Sequence, residues 1–327
     1  MRITSSMLAK NYMGNLNASL SKLDKLQSQL ATNRKYAHIS DDPISVIYSN
    51  QAKYKLSRLS HYQKNVETAQ NWLLQAEAGL SDLNEVIKSA YEAAIGAATD
   101  ISTPEDKRNA SAYIGQLRDQ VLQSLNTAFG EKYIYGGYNT TGYTDSGKNQ
   151  PPFTINGSGH LCYNGIDATD PANSPIFDEM MKDVLTFDVG VGSDVEVTVN
   201  GLRLAFFGND PLTGAPKNIY NLLSDLYETV HSGASTEDIS SYLPDLQTSQ
   251  SHLLALMAEF GGRTNRLDIL STRYAQDEIN YTQMKSDAED ADQAEVIMNY
   301  KMAESVYKAA LSTGAYIIQP TLMDFLR

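Results

Sequence analysis

The feature that most constrains this 327-residue chain is an uninterrupted heptad pattern in its first third. Apolar residues fill consecutive a and d positions in alternating steps of three and four, at Val66, Ala69, Leu73, Ala76, Leu80, Leu83, Ile87, Ala90 and Ala94. Such a stripe is typical of a coiled-coil seam. We expect the large members, Val66, Leu73, Leu80, Leu83 and Ile87, to form the seam of a helical rod with at least one partner helix.

Capping signals define where the helices begin. Ser40 and Asp41 precede Asp42, a good N-cap, and Pro43 suits the first helical position. A helix from there to about Thr99 would be roughly 80 Å long. Two further starts are predicted, at Thr103-Pro104-Glu105-Asp106 and at Ser235-Thr236-Glu237-Asp238. The pair Gly261-Gly262 is expected to interrupt or kink a long C-terminal helix.

Glycine and proline mark a different middle region. Residues 130–216 hold 13 of the 21 glycines and 6 of the 10 prolines. Alternating apolar residues lie on both sides of Gly190–Asp194, which predicts a β-hairpin. We expect an inserted β-rich domain that could be removed without loss of the helical rod.

Shorter heptad stripes lie at both ends of the chain. The N-terminal stripe is Met13, Leu16, Leu20, Leu23 and Leu30, counted through Gln27 as a polar member. The C-terminal stripe is Ile297, Tyr300, Tyr307 and Leu311. A helical-bundle core is the simpler interpretation, and completion by neighbouring molecules is the alternative, because short amphipathic helices are marginally stable alone. Charge favours pairing of the ends, since residues 1–50 carry +3 and residues 211–327 carry −8.

Composition and motifs argue against several classes of protein. A net charge of −13 without a basic stripe argues against nucleic-acid binding. No apolar run approaches a membrane span, and the start of the chain lacks a signal-peptide apolar block. We predict no catalytic, cofactor or metal site. The acidic run at Glu289, Asp290 and Asp292 is typical of a solvated helix face, and the single cysteine, Cys162, of a passive loop residue.

Five segments together resemble one known family. They are Leu23 to Ala31, Ile39 to Pro43, Phe129 to Gly137, Asp290 to Asn299 and Gln319 to Leu326. These segments are similar to the N-terminal and C-terminal regions of the flagellin superfamily, and the resemblance skips the middle. Asp41-Asp42-Pro43, the Met1-Arg2-Ile3-Thr4 start and the Asp324-Phe325-Leu326 ending resemble the hook-filament junction branch more than the filament flagellins.

The resemblance implies a structural adaptor of the bacterial flagellum between the hook side and the filament, and not an enzyme. Implied partners are hook-associated protein 1 on the hook side, flagellin or the filament cap on the distal side, copies of the chain itself in a helical layer, and an export chaperone on the C-terminal segment. The implied location is extracellular, reached by type III export without a cleaved signal. A filament-forming flagellin and a secreted coiled-coil adhesin remain alternatives.

The predicted fold class is mostly α with an inserted β-rich domain, as an elongated antiparallel helical bundle. Its predicted parts are an N-terminal assembly segment (1–42), a helical rod (43–137 and 216–285), the insert (138–215) and a C-terminal assembly segment (286–327). The resemblance implies that both end segments are mobile in the monomer and helical after assembly. Leu322 and Phe325 join the two end stripes as predicted assembly residues.

Overall fold

The computed structural model describes residues 5–99, 101–145, 148–198, 200–210 and 214–323. The helices are α1 (Ser5–Thr32), α2 (Pro43–Ala97), α3 (Pro104–Leu125), α4 (Ser174–Met180), α5 (Gly201–Ala205), α6 (Ile219–His231), α7 (Thr236–Ser240), α8 (Leu243–Glu289) and α9 (Gln293–Met323). The prediction of a mostly helical chain with a smaller β-rich region is confirmed. Within these residues, no helix has the length and hydropathy that a membrane span requires.

The strands are short and antiparallel. They are β1 (Ala128–Phe129), β2 (Lys132–Tyr133), β3 (Tyr143–Asp145), β4 (Lys148–Gln150), β5 (Phe153–Ile155), β6 (Leu161–Tyr163), β7 (Ile166–Asp167), β8 (Thr186–Gly190), β9 (Ser193–Glu196), β10 (Phe206–Asn209) and β11 (Pro216–Asn218). They form the sheets β1-β2, β3-β4, β5-β6-β7, β8-β9 and β10-β11. The predicted hairpin around residues 190–194 is β8-β9, which has an irregular register between Asp188 and Gly190.

Two compact units divide the chain. Residues 1–60 and 275–327 form the first, here called the terminal unit, and residues 61–274 form the second, the central unit. Both predicted assembly segments belong to the terminal unit. The β-rich region belongs to the central unit together with α3 and α6, so it does not form a compact unit of its own.

The heptad stripe of α2 lies in the core of the central unit. Val66, Leu73, Leu80, Leu83 and Ile87 are each at most 1% exposed. One partner helix is α8, because the Gln70 amide donates to Asp268 Oδ1 at 2.7 Å and the rings of Tyr62 and Tyr274 stack with centroids 6.2 Å apart. Helix α8 continues through Gly261 and Gly262, so the expected interruption there is absent.

Hydrogen bonds join the β-rich region to the helices of the central unit. Asn126, at the C-terminal end of α3, exchanges two side-chain bonds with the backbone of Phe153, at 2.8 and 3.0 Å. The amide of Leu161 donates to Asn221 on α6 at 3.0 Å. Cys162 is a buried free thiol on β6 between two buried neighbours, not a loop residue. Strand residues therefore supply part of the core.

The second half of the segment Phe129 to Gly137 is closely packed. Tyr135 is fully buried, and its hydroxyl donates to the carbonyl of Ala76 at 2.6 Å. The same hydroxyl occupies the position that a Cβ at Gly79 would take. Gly137 has a positive φ of 64°, which glycine adopts without strain. Residues 134–137 of this segment are buried and anchor it on α2.

Candidate assembly surface

Helices α1 and α9 of the terminal unit form an antiparallel pair. Near one end, the Tyr12 hydroxyl donates to the carbonyl of Ala310 at 2.7 Å. Beyond the other end of α1, Arg34 and Asp290 form an antiparallel β-bridge. Gly314 permits the close approach, because a Cβ there would overlap the Tyr12 ring. The first turns of α1 therefore lie beside the last turns of α9.

The contact between these helices is a narrow stripe of small, aliphatic and aromatic side chains. On α1 the stripe consists of the buried or half-buried residues Tyr12, Leu16, Ser19, Leu23, Leu26 and Leu30. On α9 it consists of Val296, Tyr300, Ala303, Tyr307, Ala310 and Gly314. Both series advance in steps of three and four, which is the spacing of a coiled-coil seam.

The predicted assembly residues divide into two groups. Leu16, Leu23, Leu30, Tyr300 and Tyr307 belong to the stripe between α1 and α9. Met13, Leu20, Ile297 and Leu311 are exposed, at 50%, 47%, 49% and 44% of their surface. Leu322 lies in α9 at a position whose side chain is not described, and Phe325 lies outside the described residues. The chain alone therefore covers only part of the predicted set.

The four exposed members face the same side of the helix pair. Tyr12 and Val296 mark the direction of the contact stripe on α1 and α9. At about 100° per residue, Met13 and Leu20 are rotated roughly 80–100° from Tyr12 about the axis of α1. Ile297 and Leu311 are rotated roughly 60–100° from Val296 about the axis of α9, in the same sense. In an antiparallel pair, equal rotations from the contact stripe point to the same side. These residues form one apolar strip along the pair, here called the side strip.

Sequence reasoning missed the residues that are most buried and those that face outward. Leu26 and Val296 are 9% and 8% exposed. The N-terminal heptad pattern was counted with Gln27 at a core position, so it left out Leu26, the residue just before it. Met298, Met302 and Val306 are 55–60% exposed on the outer face of α9. Their i, i+4, i+8 spacing was the available signal for a second apolar face.

The terminal unit exposes more large apolar side chains than it buries. Among the described residues its buried apolar side chains are Leu26, Val46, Ala52, Leu59 and Val296. Its exposed large ones are Met7, Leu8, Met13, Leu20, Ile39, Ile44, Ile47, Tyr48, Tyr54, Ile279, Met284, Ile297, Met298, Met302, Val306 and Leu311. An excess of exposed over buried large apolar side chains favours an interaction surface on this unit.

A short backbone clasp closes the terminal unit where α8 ends. The amide of Lys35 donates to the carbonyl of Glu289 at 2.8 Å, and the amide of Ala291 donates to the carbonyl of Asn33 at 3.1 Å. Asn33 has a φ of 57°, a left-handed conformation that asparagine tolerates better than most residues. The clasp fixes the turn after α1 against the turn between α8 and α9.

Glu289 is the buried charge at this clasp, so the expectation of a solvated face there is wrong. It is 2% exposed. Ser49 Oγ donates to its Oε2 at 3.0 Å, Lys53 Nζ pairs with Oε2 at 2.8 Å, and Arg34 Nε lies 2.9 Å from Oε1. Burial alone would raise the pKa of Glu289, but the two cations and the hydroxyl outweigh burial and hold its pKa below the ordinary value. The carboxylate connects α2, α8 and the turn after α1.

The Ser40 to Pro43 motif shapes the entry into α2. Asp42 accepts from the amide of Ser45 at 3.1 Å and from its hydroxyl at 2.6 Å, which is N-cap geometry with Pro43 as the first helical residue. Asp41 accepts from the amides of Ala37 and His38 and pairs with Lys25 at 3.1 Å. Hydrogen bonds from His38, Lys25 and Ala37 lower the pKa of Asp41. Ser40 is exposed in the turn.

This arrangement is suited to binding other helices. Its groups are apolar strips, capped helix ends and one internal ion-pair cluster. Among the residues that the structure describes, no cluster of three or more His, Cys, Asp or Glu side chains could hold a metal ion.

Comparison with known proteins finds similarity to flagellar proteins. Residues 3–140 match the model of the bacterial flagellin N-terminal helical region. Flagellar hook-associated protein 3 of Escherichia coli K12 is 22% identical over 321 residues, which cover 95% of each protein.

Solved structures of flagellar proteins have a similar fold. A putative flagellar hook-associated protein from Vibrio parahaemolyticus aligns with a TM-score of 0.62 at 19% identity, covering 76% of this chain and all of that one. The flagellar junction protein FlgL from Legionella pneumophila aligns with a TM-score of 0.55 at 14% identity, again covering 76% of this chain and 100% of that one. These likenesses concern the fold.

Proposed function

We propose, on the premise that this chain belongs to the flagellin superfamily, that it is a structural subunit of the bacterial flagellum which joins the hook side to the flagellin filament. The observation that carries the proposal is the exposed apolar surface of the terminal unit. That surface would be a liability on an isolated soluble protein, and it is what a subunit completed by its neighbours requires.

The energetics favour assembly coupled to ordering of the ends. Fully burying a large aliphatic side chain contributes about 1.5–3 kcal/mol, so covering the exposed half of one contributes about 1 kcal/mol. Fixing the backbone costs about 1–2 kcal/mol per residue. The few buried apolar groups of the terminal unit offset little of that cost. Contacts with several neighbouring copies would supply the rest, and the ends would be marginally ordered in the monomer.

The proposed partners follow from the position in the flagellum. Hook-associated protein 1 would bind on the hook side, and flagellin or the filament cap on the distal side. Copies of the chain would bind one another head to tail, because a heterologous contact that does not close gives a helical layer on which the next protein can stack. An export chaperone would cover the C-terminal segment before assembly. We propose no catalytic role.

The proposed location is extracellular, at the junction of hook and filament, reached by type III export without cleavage of a signal. Gold labelling of the chain on intact cells, viewed by electron microscopy, tests this location. A single spot where hook meets filament is expected. Label along the whole filament would instead indicate a filament flagellin, and label elsewhere on the cell surface would indicate an adhesin.

A matched pair of variants tests the surface itself. Leu20 lies on the side strip and is 47% exposed, whereas Leu254 is 49% exposed on α8 in the central unit. Leu20→Asp should keep the helical circular dichroism of the monomer but abolish its incorporation into flagella and swimming. Leu254→Asp should leave both intact. Equal loss of incorporation in the two variants would contradict the assignment to the terminal unit, and so would unfolding of Leu20→Asp.

A further inference from the structure

The first turns of α2 have two apolar faces, and only one is covered. Val46, Ala52 and Leu59 are buried within the terminal unit. On an adjoining face of the helix, Ile44, Ile47, Tyr48 and Tyr54 are 55–66% exposed. At about 100° per residue these four lie within an arc of roughly 120°. They define a strip, here called the α2 strip, that the exposed Gln51 interrupts between Tyr48 and Tyr54 and that the pairing of α1 with α9 leaves open.

The α2 strip has a charge at one end only. No acidic residue occurs between Pro43 and Ser60, whereas Lys55 and Arg58 lie on the same face as the strip, after Tyr54. Arg58 lies over the Tyr54 ring at 5.7 Å, and Lys55 lies over the Tyr281 ring at 5.2 Å. The strip therefore runs from an aliphatic end at Ile44 to a cationic end at Lys55.

The outer face of α9 has the complementary pattern. Glu295, Met298, Met302 and Val306 follow one another at i, i+3, i+7 and i+11, which places them on one face of the helix. All four are exposed. Glu295 forms no ion pair among the described residues. This face, the α9 strip, runs from an anionic end at Glu295 to an aliphatic end at Val306.

The two strips match in length and in direction. Glu295 to Val306 and Ile44 to Lys55 are each twelve residues long, which places their ends about 16 Å apart along the helix. An antiparallel pairing places Glu295 beside Lys55, Met302 beside Tyr48 and Val306 beside Ile44. Thioether sulfur atoms pack favourably against aromatic rings, by about 0.3–1.5 kcal/mol. Charge selects the antiparallel direction, because the parallel one would place Glu295 at the aliphatic end of the α2 strip.

We propose that the α9 strip of one copy of this chain docks on the α2 strip of the next copy. The contact is heterologous, since two different surfaces meet, so it propagates from copy to copy. The inference rests on the proposed function, because it names the surfaces by which the assembled subunits contact one another.

Disulfide trapping in flagella tests the contact. One variant carries Tyr48→Cys, the other carries Met302→Cys, and both carry Cys162→Ser so that no other thiol remains. The two variants are expressed together in the bacterium that makes the chain, and its sheared flagella are oxidised. We expect a covalent dimer from the mixture, whereas either variant alone should remain monomeric.

Two matched positions serve as controls. Ser57 and Ser305 are exposed, on α2 and α9 respectively, and in the proposed register they lie about 18 Å apart along the helices, because Ser57 would face Gln293 and Ser305 would face Ser45. The combination of Ser57→Cys with Ser305→Cys should give at most a tenth of the dimer. Equal trapping by both combinations, or none by Tyr48→Cys with Met302→Cys in flagella that contain both variants, would overturn the proposed contact.

A charge exchange gives a second measurement that needs no cysteine. Glu295→Lys alone should reduce incorporation of the chain into flagella at least fivefold, and Lys55→Glu in the same chain should restore it. Failure of the second change to restore incorporation, while Glu295→Lys monomers keep wild-type helicity, would refute the pairing. Absence of the wild-type chain from flagella would refute the proposed function itself, which separates the two outcomes.

Discussion

Replacement of Glu289 by glutamine should loosen the clasp between the turn after α1 and the turn between α8 and α9. The change keeps the volume of the side chain and its ability to accept from Ser49, but it removes the charge that pairs with Lys53 and Arg34. The Glu289 side chain is 3% exposed, so the lost pairing is that of a buried carboxylate.

The magnitude follows from the exposure of the partners. Hydrogen bonds to a charged group contribute about 1.5–3 kcal/mol. Lys53 and Arg34 are 42% and 56% exposed, so water can solvate both cations once the carboxylate is gone. Pairs with exposed partners contribute only about 0–1 kcal/mol. Glutamine also avoids the cost of burying a charge. We expect a net loss of about 1–2 kcal/mol, which is roughly a 5- to 30-fold increase in the population of the open clasp.

Amide hydrogen exchange of the monomer measures this opening locally. The amides of Lys35 and Ala291 make the two backbone bonds of the clasp, so their exchange should accelerate by that factor in Glu289→Gln. Glu295→Gln is the control, because Glu295 is exposed nearby at the start of α9. Unchanged exchange at both amides, or equal acceleration in the control, would refute the reasoning.

The same variant makes a prediction about pH. The folded pKa of Glu289 lies below its ordinary value of 4.5, so its contribution is complete above the unfolded pKa and is lost as the pH falls through the folded pKa. The difference in exchange between wild type and Glu289→Gln should therefore be constant near neutral pH and disappear in acid as the pH falls through the folded pKa of Glu289. A difference that grows on acidification would contradict the sign of the pKa change.

Three further changes test the packing. Gly314→Ala should displace the Tyr12 ring and speed tryptic cleavage of α1. The control is Gly14→Ala, which should not speed cleavage because a Cβ at Gly14 has no neighbour within 4 Å. Equal cleavage of the two variants would argue against the pairing of α1 with α9. Tyr135→Phe should lower the free energy of unfolding by about 1–2 kcal/mol in urea titrations through loss of the buried bond to Ala76, while Tyr138→Phe, at 71% exposure, should change it little. Replacement of residues 142–208 by a short linker should abolish cooperative thermal unfolding of the central unit, because the replaced region contains the core residues Phe153, Leu161, Phe177 and Leu202. A cooperative transition in the shortened protein would instead indicate that the β-rich region is a removable insert.

Local signals made much of the helical structure predictable. The α2 stripe is visible because its period is regular over many turns, and its cap at Asp42 and Pro43 is a matter of adjacent residues. The helix start at Thr103 could be predicted equally well, because a capping box involves only positions three residues apart. The structure contains this capping box, between Thr103 and Asp106. Gly261 and Gly262 were less informative, because glycine costs a long helix only about 1 kcal/mol each, which tertiary packing overrides.

Only the tertiary structure decided which apolar residues are covered. The sequence by itself established that the ends of the chain are amphipathic helices with apolar residues at heptad spacing, because that property belongs to each helix alone. It could not tell Leu23, in the contact with α9, from Leu20, on the exposed side, since steps of three and four place both near one face. The burial of Glu289 likewise required Ser49, Lys53 and Arg34, which are 240, 236 and 255 residues away in the chain. Burial is a relation between elements, and the exposed remainder of these faces becomes visible only when the elements are packed.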